Sequence, residues 1–379
     1  MKIHVYSPPK PKMALKYVSN AIRNNCISSF CNNSLYNYVK MLEDSFANYI
    51  GVKHATSVTS GTTALHLALK ALEIKKNDEI IVPNFTMIAT ISSIYHIGAK
   101  PVFVDADPST WCIDTNLIEA KITKKTKAII PVHIYGCSAN MTKIRNIARK
   151  YNLYIIEDAA EAIGTEYKGK KAGSFGDIAC FSFYANKLIT SGEGGMLVTN
   201  NNEIYEKLVK LKDHFFTKSR FHHEDFGFNY RFNNISAAYA YASFQDHKKN
   251  LEKKIQNALY YIKCLSNING ISFCLNPSYI KNSYWMFGIL IDGNKFGVNK
   301  STVKEILLKQ YGIDTRDFFY PMNMQPAVLN HKLIKKQEKF PVSLKLYNNG
   351  LYLPSSPCLR KSDIKYITDS IKKIAIKSI

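Results

Sequence analysis

Between Glu79 and Glu157 the chain alternates short apolar runs with helix-like stretches, and that rhythm leaves few folds open to it. Glu79–Pro83, Pro101–Asp105, Lys127–His133 and Leu153–Glu157 read as strands. Thr86–Ile97, Leu117–Lys121 and Met141–Tyr151 read as helices, the last with Ile144, Ile147 and Ala148 on one side. Strands apolar along their whole length, separated by helices, predict an α/β fold with a mostly parallel sheet covered on both faces. Ligands in such sheets gather beyond the carboxyl ends of the strands. Two more strands follow, Ile178–Tyr184 and Met196–Thr199, and the loop between them carries Lys187 and the glycine-rich run around Glu193.

A chain of 379 residues suits two domains, and 46% apolar residues fill both interiors. Residues 1–50 read as an N-terminal arm with a polar loop at 28–34 and a helix over Tyr38–Tyr49. Ile235–Phe244 is a further helix, and the charged stretch Gln245–Lys254 suits an exposed connector. Beyond it, Leu251–Leu265, Tyr284–Ile291 and Thr302–Tyr311 mark helices and short strands, followed by a turn-rich segment over Asp314–Asn323. The expected division is a large domain over 1–249 and a smaller one over 250–379. No apolar run reaches membrane-spanning length and the N-terminus lacks a signal-peptide core, so a cytoplasmic protein is expected.

The eight cysteines form no C-x-x-C pair, and several fall in apolar runs. Reduced core thiols are expected, rather than disulfides or a metal site. A formal charge of +22 points first to nucleic acid. The lysines are scattered in pairs such as Lys75-Lys76 and Lys248-Lys249, however, and no recognition motif accompanies them, so no nucleic-acid partner is expected. The positive potential would instead attract a small polyphosphorylated substrate. No G-x-G-x-x-G follows the first strand, which argues against a nicotinamide oxidoreductase.

Three places carry candidate chemistry. Ser60, Gly61, Thr62 and Thr63 open the helix Ala64–Leu72, where free N–H groups and the dipole suit a phosphate, although ordinary N-capping is the simpler reading of that segment alone. Asp158 ends a buried strand, where a carboxylate needs a cation or strong donor; a protonated ring nitrogen on one hand, and a structural salt bridge or helix cap on the other, serve equally well. Lys187, shielded by aromatics, is a candidate amine for Schiff-base chemistry, though a solvated loop lysine is the default in so lysine-rich a chain.

Taken together and in order, seven motifs resemble the DegT-type pyridoxal-phosphate-dependent sugar-nucleotide aminotransferases, within the aspartate-aminotransferase (type I) fold. They are S-G-T-T-A-L-H-L-A-L at 60–69, G-A-K-P-V-F-V-D at 98–105, T-K-A-I-I-P-V-H-I-Y-G at 126–136, E-D-A-A-E-A at 157–162, F-S-F-Y-A-N-K with G-E-G-G at 181–195, N-Y-R-F at 229–232 and L-P-S-S-P at 353–357. The resemblance implies pyridoxal 5′-phosphate held by Lys187 as the Schiff-base amine, with Asp158 facing the pyridine nitrogen. It implies Gly61, Thr62 and Ser182 on the phosphate with Thr63 as a neighbouring donor, and Glu161 near the ring hydroxyl, where many members carry Gln. Asn229 matches a phosphate ligand that reaches across from a partner subunit, which implies a homodimer with shared active sites.

Lys187 also sets the chain apart from the family's dehydratases, which carry histidine there. Three positions depart from the pattern. Met87 stands where an aromatic usually stacks on the ring, and a thioether packs less rigidly. Asn323 replaces the histidine of a Tyr-Pro-x-His turn, and the loop 28–34 lacks an expected glycine. Arg231, Tyr320 and Asn323 are the candidate substrate residues. The implied reaction moves an amino group from L-glutamate to a nucleotide-linked 4-keto-6-deoxyhexose for surface glycans. A 3-keto sugar nucleotide or a smaller phosphorylated ketone is the alternative acceptor, and a non-catalytic basic binding protein the remote alternative.

Overall fold

The computed structural model describes residues 2–217, 219, 221–334 and 338–377. The chain lays down strands β1 (His54–Val58), β2 (Glu79–Pro83), β3 (Lys100–Val104), β4 (Thr126–Ile129) and β5 (Tyr154–Asp158). A hairpin follows, β6 (Glu166–Tyr167) and β7 (Lys170–Lys171), then β8 (Ile178–Ser182) and β9 (Gly195–Thr199). Seven of these form one sheet in the order β1-β9-β8-β5-β4-β2-β3. All its pairings are parallel except those of β9, which runs against both β1 and β8. The exception has a local cause. Parallel neighbours need a long crossover, usually a helix, and no helix intervenes between β8 and β9, so the chain turns straight back. That turn holds Lys187.

Side chains alternate across the sheet as the period of a strand requires. Ile80 and Val82 join one apolar layer with Leu65, Leu69 and Ile91, whereas Ile81 joins the opposite layer with Val104, Ile129 and Ile144. Pro131, which has no N–H to give, follows the end of β4, so the strand expected to reach His133 stops at Ile129. The helix expected from Thr86 begins at Ile88 and leaves Thr86 and Met87 in the turn. Leu117–Lys121 tightens to a 3₁₀ turn over Glu119–Lys121.

A second sheet comprises β10 (Ile271–Phe273), β12 (Phe287–Ile291), β13 (Arg316–Asp317) and β14 (Gly350–Leu353), all antiparallel; β11 (Ile280–Lys281) instead pairs with β6. Tyr261, Phe287, Ile289, Leu307, Leu351 and Ile367 fill its core against the helices His247–Leu265, Lys300–Tyr311 and Lys361–Lys377. No helix among the described residues is long and apolar enough to cross a membrane.

Two expectations need correction. Gln245–Lys254 is no exposed connector: a 19-residue helix begins at His247, with His247, Leu251, Lys254, Asn257, Ala258 and Tyr261 buried along one side. Its charges cover the solvent face, so a high charge count masked an amphipathic period. Nor are all cysteines reduced, because Cys26 and Cys31 form a disulfide across Cα atoms 5.0 Å apart. Asn25, at φ 55°, turns the chain there and lets the loop double back. The other six are free thiols, with Cys112, Cys137 and Cys180 buried.

Candidate active site

The carboxyl ends of β1, β5 and β8, with the turns after β2 and β4, surround a cavity of about 350 Å³. After β1, extended Ser60 caps the helix Gly61–Ala71. Its Oγ accepts from Thr63 N (3.1 Å), and its own N–H donates to Thr63 Oγ1 (3.0 Å), a reciprocal box. Thr63 is thereby spent on the cap and does not line the cavity, whereas Ser60, Gly61, Thr62 and Ser182 do. The first N–H groups of a helix have no partner within it, so Gly61 and Thr62 present donors at the positive end of the dipole. The cradle is tight. A Cβ on Gly61 would stand 3.0 Å from Ser182 Cβ, and one on Gly195 only 2.4 Å from the Ser60 carbonyl oxygen.

Adjacent carboxylates on β5 point to opposite faces and meet different fates. Glu157 is fully buried, accepting from His133 Nε2 (3.0 Å) and the N–H groups of Gly173, Phe175 and Gly176. His133 Nδ1 accepts from Ala139 N (3.2 Å), which leaves the proton on Nε2. Among the described residues Asp158 has two donors, Thr90 Oγ1 (2.8 Å) and Ala160 N (3.2 Å), and it lines the cavity. Burial raises its pKa, against the pull of those donors and of Lys187. A buried carboxylate so sparsely satisfied is set to face a cationic donor.

Glu161 accepts from Tyr135 N (2.8 Å), where Tyr135 holds the left-handed φ of 52°. Burial pushes its carboxyl up to about 7. Lys187 is buried, its Nζ 3.6 Å from the centre of the Trp285 ring. Burial lowers the amine to about 8 while Glu161 and Asp158 pull the other way. An amine brought that close to neutral pH is a competent nucleophile and proton carrier.

Met87, half exposed at the cavity rim, accepts Ala89 N–H on its Sδ at 3.0 Å. The structure thus gathers Gly61, Thr62, Met87, Asp158, Glu161, Ser182 and Lys187 around one space. Besides Thr63, four expected residues lie outside this lining. Asn229 is exposed and its backbone pairs with Asp213. Arg231 forms an ion pair with the Asp213 carboxylate and lies 5.8 Å from the Phe30 ring. Tyr320 packs edge-on against Tyr347 (4.9 Å), and Asn323 exchanges two hydrogen bonds with Asn84 (2.9 and 2.8 Å). Sequence reasoning passed over Thr90, Tyr184, Trp285, Phe319 and Tyr352, all on the cavity wall. Thr90 was within reach, one helical turn beyond Thr86; the second-sheet aromatics have no local signal.

Residues 15–372 match the DegT/DnrJ/EryC1/StrS aminotransferase family. GDP-perosamine synthase of Escherichia coli O157:H7 is 39% identical over 373 residues, 98% of each chain. The Vibrio cholerae GDP-perosamine synthase is 37% identical over 373 residues, again 98% of each. The X-ray structure of the aminotransferase from Psychrobacter cryohalolentis superposes with a TM-score of 0.89 at 28% identity, covering 98% of this chain and 99% of that one. Together with the seven ordered motifs and the cavity they build, the match places this chain in the DegT/DnrJ/EryC1/StrS aminotransferase family.

Proposed function

We propose that the protein is a pyridoxal-phosphate-dependent aminotransferase that transfers the amino group of L-glutamate to a nucleotide-linked 4-keto-6-deoxyhexose. The product is a 4-amino-4,6-dideoxy sugar nucleotide for surface glycan synthesis, made in the cytoplasm by a homodimer. The observation that carries the reading is the convergence of a phosphate cradle, a buried carboxylate and a buried amine on one cavity wall. The substrate class rests on likeness to the GDP-perosamine synthases across 98% of the chain.

The donor set fits the cofactor. Gly61, Thr62 and Ser182 would hold its phosphate, Asp158 its ring nitrogen, Met87 a ring face and Glu161 the ring hydroxyl. Bound there, pyridoxal phosphate supplies an aldehyde for the amine and an electron sink for the charge left when a substrate proton departs. Lys187 holds and moves that proton, as an amine lowered to about 8 can do from either state near neutral pH. Asp158 keeps the ring nitrogen protonated, and the aromatic wall of Trp285, Phe319 and Tyr352 keeps water from the amine. Asn229, exposed away from its own cavity, serves the site of a second copy.

The tests are borohydride reduction of one portion of the pyridoxal-phosphate-loaded protein and, on a separate unreduced portion, turnover of glutamate with GDP-4-keto-6-deoxyhexose. The expected outcome is cofactor fixed on residue 187 and an amino-sugar product, with both lost in Lys187→Ala. Label elsewhere in the chain, or turnover surviving in Lys187→Ala, refutes the assignment.

A further inference from the structure

Lys254 is only 3% exposed, yet it forms no ion pair among the described residues. A buried ammonium without a counter-charge is costly, so its place calls for a reason. Its Nζ donates to the carbonyls of Trp285 (3.0 Å) and Ser355 (2.6 Å). Further along the same buried helix face, Asn257 and Tyr261 donate to the carbonyls of Ser356 (3.3 Å) and Pro354 (3.0 Å). One face of the helix His247–Leu265 thus supplies donors to carbonyls that flank strands of the second sheet.

The other end of this network reaches the reacting amine. Trp285 Nε1 donates to the carbonyl of Asn186 (3.0 Å), the residue before Lys187, and its ring stands 3.6 Å from Lys187 Nζ. Tyr284, just before it, is held at φ 48° with its N–H on Asn282 Oδ1 (2.6 Å). Gly136 packs so closely that a Cβ there would lie 2.6 Å from Tyr284 N and 2.7 Å from Trp285 N. Tyr6 completes the arrangement. Its hydroxyl donates to the Lys187 carbonyl (3.3 Å), and its ring lies 5.3 Å from Lys254 Nζ. Both groups that grip the backbone at 186–187 therefore lean on Lys254.

We propose that Lys254 is a positioning residue for the amine of Lys187, acting through Trp285 and Tyr6 without touching substrate or cofactor. The inference rests on the assignment of Lys187 as the reacting amine. A lysine side chain is long and flexible, and proton transfer needs its tip placed closely. The indole removes water and rotamers from that tip, and Lys254 keeps the indole in place. Were Lys254 only a tie between its helix and the second sheet, its loss would lower the melting temperature and leave the chemistry at Lys187 alone.

Lys254→Met keeps the stem and removes the donors. Trp111 and Trp285 are the two tryptophans of the chain, so in a Trp111→Phe background the emission reports on Trp285. In the cofactor-free protein we expect Lys254→Met to shift that emission to longer wavelength. In the holoenzyme we expect the rate of pyridoxal-phosphate trapping at residue 187, and kcat, to fall roughly tenfold or more, with KM nearly unchanged. Lys254→Arg should recover part of the loss. Trp285→Phe should slow trapping as well, and the double variant should be no worse than the poorer single one, because the two act in series. Unchanged emission and trapping in Lys254→Met, or additive losses in the double variant, overturn the proposal. If Lys254→Met shows no cooperative melt, Trp285→Phe and Tyr6→Phe decide it: slowed trapping in both supports the network, and wild-type rates in either overturn it. Trapping that persists in Lys187→Ala sinks the parent assignment, whereas its loss there beside normal trapping in Lys254→Met sinks this inference alone.

Discussion

Thr90→Val isolates one hydrogen bond to the carboxylate assigned to the ring nitrogen. Thr90 is 1% exposed, and its hydroxyl donates to Asp158 Oδ2 at 2.8 Å. Valine keeps the branched shape and deletes the donor, leaving Ala160 N–H as the carboxylate's donor among the described residues. A hydrogen bond to a charged group contributes about 1.5–3 kcal/mol. Its loss should therefore raise the Asp158 pKa further. The sign is fixed, since Thr90 lowers a pKa that burial raises. More of the carboxylate then carries a proton at neutral pH and cannot answer a protonated ring nitrogen, so kcat should fall about tenfold with little change in KM.

Stability follows the same linkage. A carboxyl whose pKa rises on folding favours the fold at low pH and loses that contribution as pH climbs through the folded value. The variant's deficit relative to wild type should therefore be largest above the folded pKa and narrow as pH falls. The assays are kcat across the neutral range and melting temperature against pH, with Thr90→Ser as the control that keeps the donor. A valine variant with wild-type kcat and an unchanged melting profile refutes the reasoning.

Glu161→Gln removes the carboxylate that does most to keep the proton on Lys187, so the amine should drop below its value of about 8. The pH midpoint for borohydride trapping of the cofactor should move down by about one unit, and an unmoved midpoint would separate Glu161 from the lysine. Gly195→Ala places a Cβ 2.4 Å from the Ser60 carbonyl oxygen. It should weaken pyridoxal-phosphate binding, read by absorbance titration, at least tenfold, about 1.4 kcal/mol; Gly61→Ala, whose nearest contact is 3.0 Å, should weaken it less.

Much of the fold was legible because its cues are short-range. The boundaries of Glu79–Pro83 and Met141–Tyr151 follow from apolar periodicity, and the observed elements coincide with them. Gly61, Asp158, Ser182 and Lys187 were legible as a group because parallel topology brings the carboxyl ends of their strands to one side of the sheet. The motif order then named the family. Where a contact spans the chain, the sequence was silent or misleading. Asn323 meets Asn84 from 239 positions away, and Trp285 reaches Asn186 across 99. Gln245–Lys254 read as solvent-exposed because its charges outnumber its apolar positions, yet Lys254 is buried among carbonyls.

The sequence by itself determined the layered α/β arrangement and pointed to Lys187, Asp158 and the helix start at Ser60–Thr63 as candidates, since each is written in residue types within a few positions of one another. Only the tertiary structure decided what surrounds them: that the Thr90 hydroxyl donates to Asp158, that an indole from beyond β11 covers the amine, and that a buried lysine donates to the backbone carbonyl of that tryptophan. Those choices depend on which distant surfaces are pressed together once the core closes. Local pattern sets the direction in which a side chain leaves its strand or helix, and only packing sets what it meets.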